Sequence, residues 1–316
     1  MDNETELAYC DYAPQSEYIG FCVSMPVIMI VMMIFICGGN CLTIMAVWKT
    51  PSLQTMPNMY IVSLAVADFI TGLAYGYDSL WYISSTMMFI YNCKACCLVS
   101  IFMLYTGFHV SMASVVAIAI DRYVYIMHPF LYNRLITASL IQIILAVVWV
   151  VSTLFAATSF FINNFEEVGF CAHFGVLPVW YHVYTEMSIF VFVFLTCVII
   201  NGAIVRLTLS KRREMRTSSV TAAAYIKHKN DWRAVRMMLT ICGAFFVCWL
   251  PYHIAMLANH FGDIWMFMFD VLSPIAILNS CMNFFIYVFM NRIFRRAFRK
   301  ILCCSQANPN GPTDGD

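Results

Sequence analysis

Charged residues are scarce in this 316-residue chain: Asp, Glu, Lys and Arg together make up 11% of it, while 62% is hydrophobic. Soluble domains average about 25% charged residues, so a water-soluble globule is disfavoured. The 14 cysteines are spread through apolar runs, where a free cysteine behaves as a small hydrophobe. A secreted disulfide scaffold is therefore not indicated either.

Seven stretches are nearly free of charge and are long enough to cross a bilayer, which takes about 20 residues of helix. Outer-membrane barrel strands are only about ten residues long, so a barrel is excluded. The sequence predicts an all-α membrane protein, a seven-transmembrane helix bundle with a short amphipathic interfacial helix. The stretches are 20–48, 57–83 (which contains Asp68 and Asp78), 95–120, 135–165, 187–205, 237–262 and 271–291.

The basic residues predict the orientation. Seven spans put the two ends of the chain on opposite sides, and an outside N-terminus leaves 17 of the 18 Lys and Arg residues inside, with only Lys94 outside. Basic residues favour cytoplasmic loops, so we expect a multi-pass plasma-membrane protein with a cytoplasmic C-terminus. The net charge of +1 is no sign of a nucleic-acid partner.

The predicted layout has four parts. They are an extracellular N-terminus (1–20), the transmembrane domain (21–291), an amphipathic helix (292–304) and a disordered cytoplasmic tail (305–316). On the amphipathic helix, Phe294, Phe298, Ile301 and Leu302 are predicted to share one face, and basic residues cover the rest. Such a helix suits a surface of anionic lipid.

Two modifications fit this layout. Asn3 begins an N-glycosylation tripeptide, although such tripeptides also occur by chance. Cys303 and Cys304 follow the amphipathic helix, where palmitoylation is expected.

An acid and a base stand together at the end of the third span. Asp121 and Arg122 follow a charge-free run, and Arg122 lies 25 residues after Cys97, which is enough helix to cross the bilayer. The alternative for such a pair is simple snorkelling of the charges to the interface. Seven helices with Asp-Arg-Tyr at this place resemble a class A (rhodopsin-like) G-protein-coupled receptor. The other matching stretches are GGN ending at Asn40, SLAVAD ending at Asp68, Trp149, CWLP at 248–251 and NSCMNFFIY at 279–287.

The resemblance implies a G-protein switch. Arg122 would be held in the resting state by Asp121 and by an acid of the sixth helix, here Asp231, until that helix swings outward for the G protein. Tyr123 and Tyr287 complete the implied switch. A heterotrimeric G protein is the implied partner, and arrestin, receptor kinases and membrane lipid are further expected partners.

Asp68 lies near mid-membrane, where a bare carboxylate is costly and needs a proton, a cation or a polar network. The resemblance implies that Asp68 holds Na⁺ as an allosteric ion, and it implies no required cofactor. The alternative is a fixed hydrogen-bond cluster without an ion. The other residues of the implied sodium site are Ser111, Asn279, Ser280 and Asn283, with Asn40 nearby.

The resemblance also implies a disulfide between Cys97 and Cys171. From periodicity alone, the neighbouring Cys96 is an equal candidate for the bond to Cys171. Cys10, Cys22 and Cys93 are also predicted to face outward, and the sequence does not pair them.

The ligand pocket is predicted in the outer half of the bundle. Three membrane-depth acids, Asp78, Glu186 and Asp270, favour a cationic ligand, unless they are water-exposed helix ends. An aromatic lining suits an amphipathic molecule, unless these rings only pack the bundle. The sequence leaves open a peptide or a small molecule. The other predicted pocket residues are Leu104, where amine receptors have Asp, Tyr105, Phe108, His109, Trp249, Tyr252, His253, and Met256, where adenosine receptors have Asn.

Two departures from the family pattern predict an altered balance between resting and active states. The seventh helix has Phe284 where the family has proline, and the fifth helix lacks both its usual proline and its usual tyrosine. Near the matching places stand Val193 and Asn201. These departures favour, as an alternative, a decoy receptor that binds ligand without signalling. A transporter or an intramembrane hydrolase is disfavoured, because neither repeats nor metal-spaced histidines occur.

Overall fold

The computed structural model describes residues 16–171, 173–217, 222–262 and 267–303. Eight helices form the architecture, and no β-strand occurs in these ranges. They are α1 (Ser16–Lys49), α2 (Met56–Asp78), α3 (Lys94–Met127), α4 (Ala138–Ala157), α5 (Met187–Thr217), α6 (Ala222–Phe261), α7 (Phe267–Met290) and α8 (Arg292–Leu302). Short helical segments connect them: Pro51–Leu53, Ser79–Tyr82, Ser84–Asn92, Pro129–Leu135, Thr158–Phe160, Phe165–Val168, His173–Val176 and a π-helical turn, Trp180–Glu186.

The helices α1 to α7 are each long and apolar enough to cross a membrane. Each predicted span falls on one of them, so the all-α, seven-helix prediction is confirmed. We call the end of the bundle that holds the Cys97–Cys171 bond the disulfide end, and the opposite end the Arg122 end.

The helices extend past the charge-free runs on which the prediction rested. The charged stretch 206–236, between the fifth and sixth predicted spans, is mostly helical, because α5 continues to Thr217 and α6 begins at Ala222. Loss of hydrophobicity marks where a helix leaves apolar solvent, while Ala, Lys, Arg and Glu remain good helix formers beyond that point. In the fourth span the helix ends earlier than predicted, at Ala157.

The third helix, α3, packs against α2, α4, α5 and α6 and so occupies the centre of the bundle. At Gly107 it approaches α2 so closely that a Cβ would lie 2.0 Å from Thr71 Oγ1. Small residues allow such close contacts between transmembrane helices. A buried position on α3 therefore faces several helices at once, which places Asp121, Ser111 and His109 at junctions.

Asn291 is the N-cap of the amphipathic helix α8, and its side chain accepts a hydrogen bond from Ile293 N. It buries Phe294, Ala297 and Phe298. Of the other two residues predicted on this face, Ile301 packs against the same core cluster and Leu302 is 68% exposed. At about 100° per residue, Leu302 lies about 40° around the helix from Phe298, at the edge of the face that holds Phe294 and Phe298.

Candidate functional site

Among the described residues, two disulfide bonds close the disulfide end. Cys97, at the start of α3, is bonded to Cys171 in the connection between α4 and α5, and Cys93 is bonded to Cys96. The structure thus gives Cys96, which the sequence left open, a partner three residues away. The pairing predicted for Cys97 and Cys171 is present.

Aromatic rings pack below this end around Trp249 of α6. The centroid of Phe108 on α3 lies 4.3 Å from that of Trp249. Phe245 lies one turn before Trp249 on α6, and the centroids of the two rings are 6.4 Å apart. The Trp249 Nε1 donor is buried without a hydrogen-bond partner among the described residues. An unpaired buried donor is costly, so this site suits an acceptor on a bound molecule or a water.

His109 and Glu186 form a buried pair between α3 and the π-helical turn. Their side chains are 6% and 4% exposed, and His109 Nε2 lies 3.0 Å from Glu186 Oε2. His109 Nδ1 lies 2.7 Å from the Tyr105 carbonyl oxygen, which only accepts, so Nδ1 donates. A proton must also lie between Nε2 and Oε2, because two lone pairs at that distance repel. The pair carries no net charge, whichever partner holds that proton.

Glu186 therefore does not act as an uncompensated negative charge. Its second oxygen, Oε1, is buried and has no hydrogen-bond partner among the described residues. The sequence predicted this acid as a site for a cation, and the structure presents a neutral pair with one open acceptor. Such an acceptor suits a neutral donor such as an amide or a hydroxyl.

Glu186 is the last residue of the π-helical turn Trp180–Glu186. π-turns are rare, and they often occur at functional sites because the extra residue changes which way the following side chains face. This turn connects the disulfide-bonded connection to α5. It delivers Glu186 to His109, which lies 77 residues earlier in the chain.

The other two predicted acids lie towards α2 and α7. Asp78 is 5% exposed and accepts a hydrogen bond from Ser100 on α3. Asp270, in the first turn of α7, accepts one from the Tyr82 hydroxyl at 3.1 Å. Both partners are neutral hydroxyls. Since Asp78 is buried, it is not the water-exposed helix end that the sequence left open.

The remaining predicted pocket residues lie around these groups. His253 is buried, its ring stacks on Phe190 at 3.9 Å, and its Nδ1 lies 3.0 Å from the Trp249 carbonyl oxygen. Leu104 packs in an apolar cluster with Tyr75 and Ile277. The rest lie as follows: Tyr105 near Tyr181, and Tyr252 and Met256 against Phe269.

The residues predicted to bind sodium meet in the middle of the bundle. Asn283 Nδ2 donates to Asp68 Oδ2 at 2.7 Å, and the Ser111 and Ser280 side chains lie beside the same carboxyl group. Asn40 Nδ2 donates to the Ser280 carbonyl oxygen at 3.0 Å. Asn279 is also buried.

Three oxygens of this cluster are buried with no hydrogen-bond partner among the described residues: Asp68 Oδ1, Asn40 Oδ1 and Ser111 Oγ. Buried polar atoms in folded proteins are nearly always paired. Carboxylate, carbonyl and hydroxyl oxygens are the ligands that hard cations prefer. The residues present therefore fit a sodium ion.

At the Arg122 end, Asp121 binds Arg122 directly. Arg122 Nε lies 2.9 Å from Asp121 Oδ2, and Arg122 Nη2 donates to the same oxygen. The hydroxyl of Tyr132, in the helix Pro129–Leu135, donates to Asp121 Oδ1 at 3.1 Å. Burial, with Asp121 nearby, raises the pKa of Tyr132 to about 12, so this hydroxyl stays protonated at physiological pH. The sequence did not single out Tyr132.

The other residues of the predicted switch, and the predicted modification sites, lie as follows. Tyr287 is 1% exposed, and its ring stacks on Phe294 of α8 at 5.2 Å. Tyr123 packs near His128, at 6.4 Å between ring centroids. Asp231 belongs to α6, but its side chain lies outside the described residues. Asn3 and Cys304 lie outside them as well, whereas Cys303 is exposed at the end of α8.

The two departures from the family pattern have structural partners. Phe284 fills the space above Gly39 of α1, where a Cβ would lie 2.9 Å from the ring, and it contacts Phe298 of α8 at 5.2 Å. Asn201 donates from Nδ2 to Cys242 Sγ of α6 at 3.3 Å. Both replacements thus make contacts with neighbouring helices.

Comparison with known proteins assigns the family. Residues 39–287 match the 7 transmembrane receptor (rhodopsin family) profile. The chain is 32% identical over 291 residues to the dog adenosine receptor A2a, covering 84% of this chain and 68% of the relative. It is 27% identical over 341 residues to the mouse neuromedin-U receptor 2, covering 98% and 84%. The bovine thyrotropin-releasing hormone receptor is 25% identical over 354 residues, covering 99% and 87%.

These relatives are named for adenosine, neuromedin U and thyrotropin-releasing hormone, so the similarity assigns the family without assigning a ligand. The match spans all the motifs from Asn40 to Tyr287. This chain therefore belongs to the rhodopsin family of seven-transmembrane receptors, the class A G-protein-coupled receptors.

Proposed function

We propose that this receptor binds a cationic or amphipathic extracellular ligand at its disulfide end and promotes nucleotide exchange on a heterotrimeric G protein at its Arg122 end. The observation that carries the proposal is the buried Asp121–Arg122 pair at the end of α3, opposite the acidic pocket. In the resting state the pair holds Arg122 away from a partner. The G protein binds once α6 moves outward and Arg122 is released.

The charge distribution supports a cationic ligand. In the proposed orientation Lys94 is the sole Lys or Arg of the sequence on the outer side, and its Nζ lies 2.6 Å from Glu166 Oε1. An excess of acid on that side attracts cations and speeds their binding. Apart from Glu186, which forms the neutral pair with His109, the acids on this side are Asp2, Glu4, Glu6, Asp11, Glu17, Asp78, Glu166, Glu167, Asp263 and Asp270.

The pocket further restricts the ligand. A cationic group suits the carboxyl groups of Asp78 and Asp270, which accept hydrogen bonds from Ser100 and Tyr82. The opposite side, with Glu186 Oε1 and Trp249 Nε1, suits an uncharged group that both donates and accepts. We infer a ligand with a cation at one end and an amide, hydroxyl or aromatic N–H group at the other.

The test is GDP/GTP exchange on a panel of purified Gα subunits, with the receptor in lipid nanodiscs. We expect ligand-independent exchange with at least one Gα and its loss in the Arg122→Ala variant, since the G protein then lacks the side chain it engages. Surface expression and thermal stability of the variant serve as controls. Exchange retained without Arg122 would contradict the proposal.

A decoy receptor is the second candidate, and Phe284 and Asn201 favour it. Both stand where the family has residues of the activation machinery, and both are engaged by neighbouring helices. Silence of a correctly folded receptor across the whole Gα panel would favour this candidate.

We propose that Asp68 holds a sodium ion, which neutralises the buried carboxylate, and that Asn283, Ser111, Ser280, Asn279 and Asn40 surround it. Replacing sodium by choline should lower the unfolding temperature of the wild type by roughly 3 °C, because an ion bound only to the folded state stabilises it. Asp68→Asn should be insensitive to the exchange of cations. Thermal unfolding in the two salts at equal ionic strength measures this, and an equal shift in Asp68→Asn would contradict it.

The helix α8 supports a membrane-facing role at the Arg122 end. Its basic residues Arg295, Arg296, Arg299 and Lys300 suit anionic lipid headgroups of the cytoplasmic leaflet. The exposed Cys303 then lies at the membrane surface and is a candidate for palmitoylation. Arrestin and receptor kinases would use the same cytoplasmic face as the G protein.

A further inference from the structure

A buried polar contact joins α5 to α6 between the pocket and the Arg122 end. It consists of Cys197 and Asn201, one turn apart on α5, and Cys242 on α6. Asn201 Nδ2 donates to Cys242 Sγ at 3.3 Å, and Cys197 lies in the same buried cluster as Cys242. The three residues are 1%, 8% and 5% exposed. We call this group the α5–α6 thiol contact.

The surroundings of this contact are apolar. Phe190, Val193, Ile241 and Phe245 belong to the same buried cluster as the two cysteines. Neither cysteine is in a disulfide bond. Within a membrane-spanning bundle no water replaces a lost hydrogen bond, so an amide donor that leaves Cys242 must find another partner.

The amide group of Asn201 is only partly satisfied. Its Oδ1 is buried without a hydrogen-bond partner among the described residues. The hydrogen bond of the side chain is the one from Nδ2 to Cys242. The single hydrogen bond from Asn201 to Cys242 restrains the rotation of α6 relative to α5, and a small movement of α6 is enough to break it. This arrangement is suited to a reversible restraint.

The position of Cys242 on α6 couples the contact to the movement of that helix. Cys242 lies nine residues from Pro251, on the side towards the Arg122 end. A proline inside a helix removes a backbone hydrogen bond and allows a bend. A rotation or outward swing of α6 about Pro251 therefore displaces Cys242 relative to α5.

We propose that the α5–α6 thiol contact is a restraint that holds α6 on α5 in the resting receptor and that activation must break. This inference rests on the proposed function for its link to signalling. Its structural half, that the Cys197 and Cys242 thiols lie close enough in the resting state to be cross-linked, can be tested without any G protein.

The first test is ligand-independent nucleotide exchange. Asn201→Leu and Cys242→Val each remove the contact while keeping most of the side-chain volume, and each should raise exchange about 3- to 10-fold, the effect of losing one hydrogen bond. Cys242→Ser keeps an acceptor and should stay near the wild type. The double variant should match either single variant, because both remove the same contact.

A matched control is available in Cys37, whose Sγ lies 3.7 Å from the Phe69 carbonyl oxygen between α1 and α2. Cys37→Val removes an interhelical thiol contact away from α6 and should leave exchange unchanged. Unchanged exchange in Asn201→Leu, or additive effects in the double variant, would overturn the proposal.

The second test is oxidative cross-linking. Copper phenanthroline with dioxygen converts two adjacent thiols to a disulfide; the thiols lose two protons and two electrons, and dioxygen takes them up as hydrogen peroxide. A protease site inserted after Thr217 lets the chain be cut between Cys197 and Cys242. On a non-reducing gel the two fragments should stay linked in the wild type and separate in Cys197→Val and in Cys242→Val.

The outcomes separate the restraint from the proposed function. Linked fragments with reduced exchange support both, because the disulfide holds α6 in place. Linked fragments from a receptor that is silent on every Gα support the contact and count against the signalling function. Absence of a linked product, or a linked receptor that exchanges nucleotide at the wild-type rate, overturns the restraint.

Discussion

Replacing Asp121 with asparagine is expected to raise ligand-independent nucleotide exchange roughly 30-fold. Arg122 donates to Asp121 through both Nε and Nη2, and the two side chains are 14% and 3% exposed. Removing one partner of a buried ion pair costs about 3–5 kcal/mol. We take about 2 kcal/mol here, because Arg122 keeps some contact with solvent and its guanidinium lies 5.1 Å from the ring centroid of Tyr125.

A smaller change at the same site provides the control. Tyr132→Phe removes only the hydroxyl that donates to Asp121 Oδ1 at 3.1 Å. The loss of one hydrogen bond to a carboxylate corresponds to about 1.5 kcal/mol, so exchange should rise only about 12-fold. Nucleotide exchange measured on the same Gα shows which of the two variants is more active. If Asp121→Asn were no more active than Tyr132→Phe, the ion pair would not be what restrains Arg122.

The sequence was sufficient for the helices because their signal is local. Each span is a continuous apolar run, and the family motifs lie in order on the expected helices from Asn40 to Tyr287. The helix ends were less predictable, as in α5 and α6, because charged residues report the membrane boundary rather than the end of a helix. The family resemblance brought Asp68 and Asn283 to one site across 215 residues.

The partners of the pocket acids could not be read from the sequence. Ser100 and Tyr82 are ordinary polar residues, and nothing in their local pattern marks them as partners of Asp78 and Asp270. Contacts between helices depend on how each helix is rotated, and a π-helical turn changes that rotation within a few residues. Glu186 thus meets His109 for a reason that no periodic pattern contains. The hydrogen bond between Asn201 and Cys242 likewise depends on how α5 and α6 are rotated, which the sequence pattern does not reveal.

The His109–Glu186 pair leads to the second large expected effect, on stability. His109→Leu leaves the Glu186 carboxyl group buried without its partner, and the lost interaction should cost about 3 kcal/mol. For a chain of 316 residues that corresponds to an unfolding temperature lower by roughly 4–5 °C. His109→Leu combined with Glu186→Met replaces the pair by apolar side chains and should recover most of the loss, since such replacements are often neutral. Thermal unfolding of the wild type, both single variants and the double variant in one lipid nanodisc composition forms the cycle.

The double variant also distinguishes a structural pair from a ligand-binding pair. If the pair only stabilises the bundle, restoring stability should restore ligand-stimulated exchange as well. If Glu186 Oε1 accepts a hydrogen bond from the ligand, the double variant should be stable yet respond weakly. It should also retain ligand-independent exchange, because Asp121 and Arg122 are untouched. Double-variant stability as low as that of His109→Leu would mean that packing around Phe155, whose ring lies 4.8 Å from that of His109, determines the cost rather than charge.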